Sequence, residues 1–184
     1  QCLVGSEMCI RDRMRDVLQF LPGVFDQKIR KIVMNKSYRN TMEIARYAEK
    51  LTGVKDVELL KRHGKEVVEE QFQTEDAVLD EILSKAKLGE DEYETAAIIT
   101  MTEAEASTLY QILKARGEEV HYIDRNSSVF KKGLTVTTFY LAKGLEFDQV
   151  FGVFQDAGNP MLNQAKYICA TRALHELYMY QITE

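Results

Sequence analysis

Short apolar runs rich in β-branched residues alternate along this chain with capped amphipathic stretches, and that alternation constrains the fold more than any other feature of the sequence. Residues 29–34, 67–72, 95–100, 120–123, 134–139, 149–154 and 177–182 read as strands. The stretches between them carry helix start and stop signals. Asn40-Thr-Met-Glu43 has the form of a capping box, an Asx acceptor with a glutamate three residues later. Ile44, Ala45, Ala48 and Leu51 then share one helical face, and Gly53 supplies a left-handed stop. Thr74 opens a second helix with Val78, Leu79, Ile82, Leu83 and Ala86 as its apolar side and Gly89 as its end. Thr102 with Glu105 forms another capping box, opening a helix that stops at Gly117, and a last helix over 161–170 precedes the final strand. Strands separated by helices are joined by right-handed crossovers and lie parallel. The expected fold is one α/β domain, a three-layer αβα sandwich around a mostly parallel sheet, with ligands at the carboxyl ends of its strands.

Length and composition agree with that expectation. A chain of 184 residues fits one ordinary domain, and 45% apolar residues suffice for its core without metal or disulfide support. No apolar run approaches the roughly 20 residues that span a bilayer, so no membrane-spanning helix is expected. The three cysteines form no CxxC pair and no Cys/His cluster, which speaks against a disulfide framework or a metal site and for a reducing, cytoplasmic setting. Residues 1–13, QCLVGSEMCIRDR, lack the basic-then-apolar order of a signal peptide and resemble a translated adapter sequence. They are expected to be a non-native or disordered tail, with the domain covering 14–184 and an N-terminal part of the protein missing.

Charge is unevenly placed. Residues 11–50 hold ten Lys/Arg against five Asp/Glu, a balance of +5, whereas residues 54–94 hold six against thirteen, a balance of −7. The whole chain carries −5, so nucleic acid is expected only in a local groove and not on a general basic surface. The acidic stretch reads as a solvated face. There is no GxxxxGK(S/T) loop, no GxGxxG after a strand, no GxSxG elbow and no HExxH helix. His63, His121 and His175 are scattered and read as surface or packing residues.

Three segments concentrate chemistry. Asn35-Lys-Ser-Tyr-Arg-Asn-Thr41 sets an aromatic face (Tyr38) and a planar fork of donors (Arg39) beside a helix start, a pairing suited to a base and a phosphate. A tyrosine packed on the core and a solvated arginine is the alternative. Thr138-Phe-Tyr-Leu-Ala-Lys-Gly-Leu-Glu-Phe-Asp148 holds Gly144, which permits a close backbone turn, and Glu146, which can accept from sugar hydroxyls. Leu145 and Phe147 would anchor it, and Thr138 and Tyr140 alternate at a strand end; the alternative is a strand-to-helix turn with Lys143 and Asp148 as surface charges. Tyr167-Ile-Cys-Ala-Thr-Arg-Ala-Leu174 puts Arg172 among small residues, as a charge aimed at a phosphate or as a buried ion pair.

Taken in order, these segments resemble the second motor domain of the UvrD/Rep-type superfamily I helicases: SYRN matches motif IV, YLAKGLEFD motif V and YICATRAL motif VI. Lys61-Arg-His-Gly-Lys65 and Tyr140 before Leu-Ala-Lys look most like the HelD, helicase IV-like branch. The resemblance implies a RecA-like, P-loop NTPase-type domain that lacks its own Walker A loop. It implies ATP with Mg2+ held between this domain and a missing N-terminal RecA-like domain, which supplies the magnesium ligands. Arg39 and Arg172 would act as catalytic arginine fingers, Tyr38 would lie against the adenine, and Gly144 and Glu146 would contact the ribose and phosphate region. Thr138 and Tyr140 match positions that touch single-stranded DNA, although Tyr140 stands where the family commonly has histidine. The implied activity is that of an ATP-dependent DNA helicase or translocase, with the isolated fragment inactive. A HelD-like motor that remodels RNA polymerase, and a degenerate binding module without catalytic function, are the alternatives.

Overall fold

A computed structural model of the chain describes residues 36–37, 39–53, 58–59, 61–89, 93–127, 130–155 and 158–183. The tail at 1–13, the strand expected at 29–34 and Tyr38 lie outside them.

Six strands build one sheet: β1 (Val68–Phe72), β2 (Thr95–Thr100), β3 (Val120–Tyr122), β4 (Gly133–Thr138), β5 (Phe147–Phe154) and β6 (Ala173–Ile182). Their spatial order is β1-β6-β5-β2-β4-β3, and every pairing is parallel. Four described helices accompany them: α1 (Met42–Thr52), α2 (Glu75–Lys85), α3 (Glu103–Ala115) and α4 (Leu162–Arg172). The sheet is apolar on both faces, as buried parallel strands must be. In β2, Ala97 and Ile99 face one core, while Ala96 and Ile98 face the other. The first core is closed by Ile44 of α1 and by Ala165, Ile168 and Cys169 of α4. The second is closed by Val78, Leu79 and Ile82 of α2 and by Ala106, Leu109 and Leu113 of α3. This is the expected three-layer αβα sandwich.

Close packing explains one invited oddity, the glycine in the middle of β5. A Cβ on Gly152 would come within 2.8 Å of the Met179 sulfur and 2.9 Å of the Phe154 ring. Cys169, just above it, is fully buried, and burial pushes its thiol far above the ordinary cysteine range, so it is a packing residue and not a nucleophile.

Helix boundaries follow local signals where nothing competes with them. Thr102 and Glu105 make both halves of their capping box, Thr74 caps α2 through Ala77 N, and Gly53 closes α1 at φ 67°. Two expectations are corrected. Thr41, not Asn40, is the N-cap of α1, with its hydroxyl accepting from Ile44 N at 3.5 Å. Glu43 completes no box; it accepts from Gly64 N at 2.8 Å and lies 3.0 Å from His63 Nδ1. Gly89 does not end α2 either. The chain leaves the helix at Ala86, because Lys87 N donates to the side chain of Gln149 at 2.7 Å. In both cases a distant partner wins over a neighbour in sequence.

Candidate functional site

The connection from β4 to β5 contains no helix. Residues 139–146 run back over the face that carries α1 and α4, from the carboxyl end of β4 to the amino end of β5, with Phe139 and Ala142 buried beneath them. Gly144 turns this loop at φ 90°, a left-handed conformation that L side chains resist. Glu146 follows, immediately before β5, with its side chain 42% exposed. Its Oε1 accepts from Arg39 Nη1 at 2.7 Å.

Arg172 reaches the same loop from the other side. It is the last residue of α4, 6% exposed, and Nη1 donates to the carbonyl of Leu145 at 3.3 Å. Its Nε and Nη2 both donate to Thr171 Oγ1. Arg39, Gly144, Glu146 and Arg172, spread over more than a hundred residues of sequence, thus converge. They do so at the amino ends of β5 and β6, whereas the sequence reading put ligands at the carboxyl ends of the strands. The parallel arrangement is the reason: a motif that begins at the carboxyl end of β4 must finish at the amino end of β5.

Thr138 and Tyr140 stay behind at the carboxyl end of β4. Thr138 is 3% exposed, and its Oγ1 accepts from Leu141 N at 3.4 Å, so it closes the turn from within. Tyr140 is 48% exposed. Its hydroxyl donates to Met161 Sδ at 3.4 Å, and the Lys143 ammonium sits 4.9 Å from its ring centroid. The Phe139 ring lies against the same tyrosine, with centroids 3.9 Å apart.

Sequence reasoning missed a second layer of residues around Arg39. Arg62 Nη1 donates to the Arg39 carbonyl at 3.1 Å, and Arg62 Nη2 lies 2.7 Å from His175 Nδ1. His175 stacks on Tyr93 with centroids 5.1 Å apart. Burial and the neighbouring Arg62 cation both push its imidazole below the usual histidine range, so Arg62 donates to a neutral ring. Asp148, a surface charge in the alternative reading of its turn, accepts from Thr95 N, Thr95 Oγ1 and Glu94 N at 3.0, 2.8 and 3.1 Å. A register shift between β5 and β6 at Phe147/Gln149 leaves room for this arrangement. The sequence signals were the 61–65 segment for Arg62 and the motif V string for Asp148, which carry the resemblance and not these contacts.

On the opposite face of the same strand ends lies Glu176, 3% exposed. Its Oε1 takes Lys65 Nζ at 2.9 Å, Lys87 Nζ at 3.0 Å and Tyr93 OH at 3.2 Å. Its Oε2 takes Gln149 Nε2 at 2.9 Å and Tyr178 OH at 2.7 Å. Burial alone would raise this carboxyl, but the bonds from Lys65, Tyr178, Lys87 and Gln149 outweigh it and hold the pKa at about 2. Glu43 is held at about 2 as well, chiefly by His63 and by backbone N–H groups. Among the described residues no group of His, Cys, Asp and Glu side chains is arranged to hold a metal ion.

No protein-family model matches the sequence, and no curated protein matches it. Among solved structures, the chain is similar to the C-terminal domain of a possible DNA helicase from Lactobacillus plantarum WCFS1. That likeness has a TM-score of 0.57 at 28% identity and covers 79% of this chain and 88% of the other. The architecture is that of a RecA-like helicase domain. Two structures of the arterivirus nonstructural protein 10 helicase, one of them with DNA, align at 12% and 14% identity with TM-scores of 0.41 and 0.42. They match 63% of this chain and only 28% and 27% of their own length, a likeness too slight to carry an argument.

Proposed function

We propose that this chain is the second motor domain of an ATP-dependent superfamily I DNA helicase or translocase, and that its part in catalysis is to deliver Arg39 and Arg172 to the phosphates of ATP. The observation that carries this reading is the convergence of both arginines on residues 145–146 at the amino ends of β5 and β6. The residues fit a nucleotide held against those strand ends. Arg39 is 52% exposed and can exchange its single bond to Glu146 for a phosphate, which an arginine fork can bind in a bidentate manner. Glu146, released by that exchange, can accept from ribose hydroxyls, and Gly144 lets backbone approach without a side chain. Tyr38, one residue before Arg39 in the sequence, would meet the adenine, as the resemblance implies.

Magnesium is a different matter. No described cluster on this chain suits a metal ion, so Mg2+ would be held by a first motor domain that also brings the Walker loop and the catalytic carboxylate. Cleft closure would bring the two arginines onto the γ-phosphate, where their charge offsets what develops in the transition state. Opening after hydrolysis would release the grip on DNA, with Tyr140 and the turn closed by Thr138 forming part of the strand track. Exposed aromatic surfaces of this kind stack on bases without sequence preference.

The test is ATP hydrolysis by this chain mixed with the first motor domain of a close relative, with and without single-stranded DNA. DNA-stimulated turnover should appear only in the mixture and should fall by about a thousandfold or more in Arg172→Ala, the scale known for arginine fingers. Near-normal turnover by Arg172→Ala with ATP binding intact would remove Arg172 from the mechanism.

A further inference from the structure

Asn40 was expected to start a helix, and the structure uses it for something else. Its side-chain amide Nδ2 donates to two carbonyls at once, Ala170 O at 2.9 Å and Ala173 O at 2.6 Å. Those carbonyls stand on either side of Arg172 in the chain, at the point where α4 gives way to β6. Carbonyls at a helix end lack intrahelical partners, so a donor from outside is welcome there. What is unusual is where this donor comes from. Asn40 is the residue next to Arg39, and it lies 130 and 133 positions away from its acceptors.

We infer that Asn40 is a positioning residue: one amide fixes the segment carrying Arg39 to the segment carrying Arg172, so that the two guanidinium groups are presented at a set separation. This rests on the reading that both arginines engage phosphates. Arg62 secures the other side, donating to the Arg39 carbonyl while it leans on His175 of β6. The Arg39 backbone is therefore held from both flanks, while its side chain has only the exposed Glu146 as a partner among the bonds described. Side chain exchangeable, backbone fixed: that is the arrangement a reusable cationic finger needs, because the geometry survives each release of the ligand. Asparagine suits the post better than the residues that usually cap helices. A hydroxyl has one proton to give and an aspartate has none, whereas the amide has two N–H groups for two carbonyls.

Asn40→Ala and Asn40→Asp in this chain test the inference, with Lys132→Ala, which alters a remote surface pair, as control. Two readouts are taken by NMR on the arginine Nε–Hε signals. The first uses inorganic tripolyphosphate as probe at low salt. In the parent chain the signals of Arg39 and Arg172 should titrate together with one affinity; in Asn40→Ala the two should separate and the affinity at Arg39 should fall by fivefold or more. A variant that melts earlier but still titrates both arginines together at the parental affinity would show that Asn40 only ties off a helix end, and would overturn the inference. The second readout needs no ligand. The Arg39 signal, held by Glu146 in the parent, should move toward the free-arginine position in both Asn40 variants and stay put in Lys132→Ala. An unmoved Arg39 signal would overturn the positioning role by itself. If the parent fails to bind tripolyphosphate at either arginine, it is the phosphate reading that fails, and the ligand-free readout still decides the role of Asn40.

Discussion

Two glutamates stand at the amino ends of neighbouring strands, and the protein treats them in opposite ways. Glu146, before β5, is 42% exposed and is recorded with a single cation, Arg39, itself 52% exposed. Glu176, near the start of β6, is 3% exposed and collects two lysines, two tyrosines and a glutamine. Exposed ion pairs contribute little, about 0–1 kcal/mol, because water competes for both partners. A buried carboxylate with every lone pair occupied is costly to disturb, because removing partners strands charge away from water. The same chemistry is thus placed once where it can be exchanged and once where it cannot. The exchangeable pair sits beside Arg172 on the α1/α4 face; the fixed one ties the segments carrying Lys65, Lys87 and Tyr93 to the sheet beneath.

The sharpest break in that comparison is catalytic. In the reconstituted motor, loss of Arg172 should cost about a thousandfold in hydrolysis while the melting temperature of the chain barely moves. An equal loss from Lys65→Ala with folding intact would mean that the wrong cluster has been assigned the chemistry.

Stability should show the reverse order. Glu176→Ala should destabilise the fold by the low end of the about 3–5 kcal/mol expected for breaking a buried pair, since both lysines can swing into water. The same carboxyl makes an acid test. Its folded pKa of about 2 lies below the ordinary value of 4.5, so the stability it contributes is complete above about pH 4.5 and drains away as pH falls toward 2. Glu43 titrates over the same window and in the same direction. Urea midpoints measured at steps from pH 6 to pH 2.5 should fall below pH 4.5, and Glu176→Gln should flatten much of that slope. A slope unchanged in Glu176→Gln would show that its partners do not depend on its charge.

The smallest effect belongs to Glu146. Glu146→Gln should change stability by less than about 1 kcal/mol, because an exposed pair is all that is lost. A melting temperature that drops as far as in Glu176→Ala would erase the distinction between the two glutamates.

Much of this was legible in the sequence because it is written locally. The strand at 95–100, the Thr102–Glu105 box and the Thr74 cap are each specified by residues no more than five positions apart, and the structure keeps them unchanged. The motif segments were legible too, since each is a contiguous string. What the sequence could not show was how those strings meet. Asn40 reads as a cap until the carbonyls of Ala170 and Ala173 are beside it, and Asp148 reads as a surface charge until Thr95 is opposite. Where those strings meet also depends on which strands lie side by side, and periodicity does not give the order β1-β6-β5-β2-β4-β3. His175 and Arg62 were passed over because nothing near them in the chain explains them; their partners come from β6, the Arg39 turn and the tyrosine before β2.

One measurement tests the central claim directly: titration of this chain with ATP, followed residue by residue on its backbone amides and arginine side chains. The account predicts shifts that centre on Arg39, Gly144, Glu146 and Arg172 and fade with distance from them, with Lys65, Lys87 and Glu176 silent. Shifts centred on the Lys65–Lys87–Glu176 cluster, or binding with no response at Arg39 and Arg172, would contradict it.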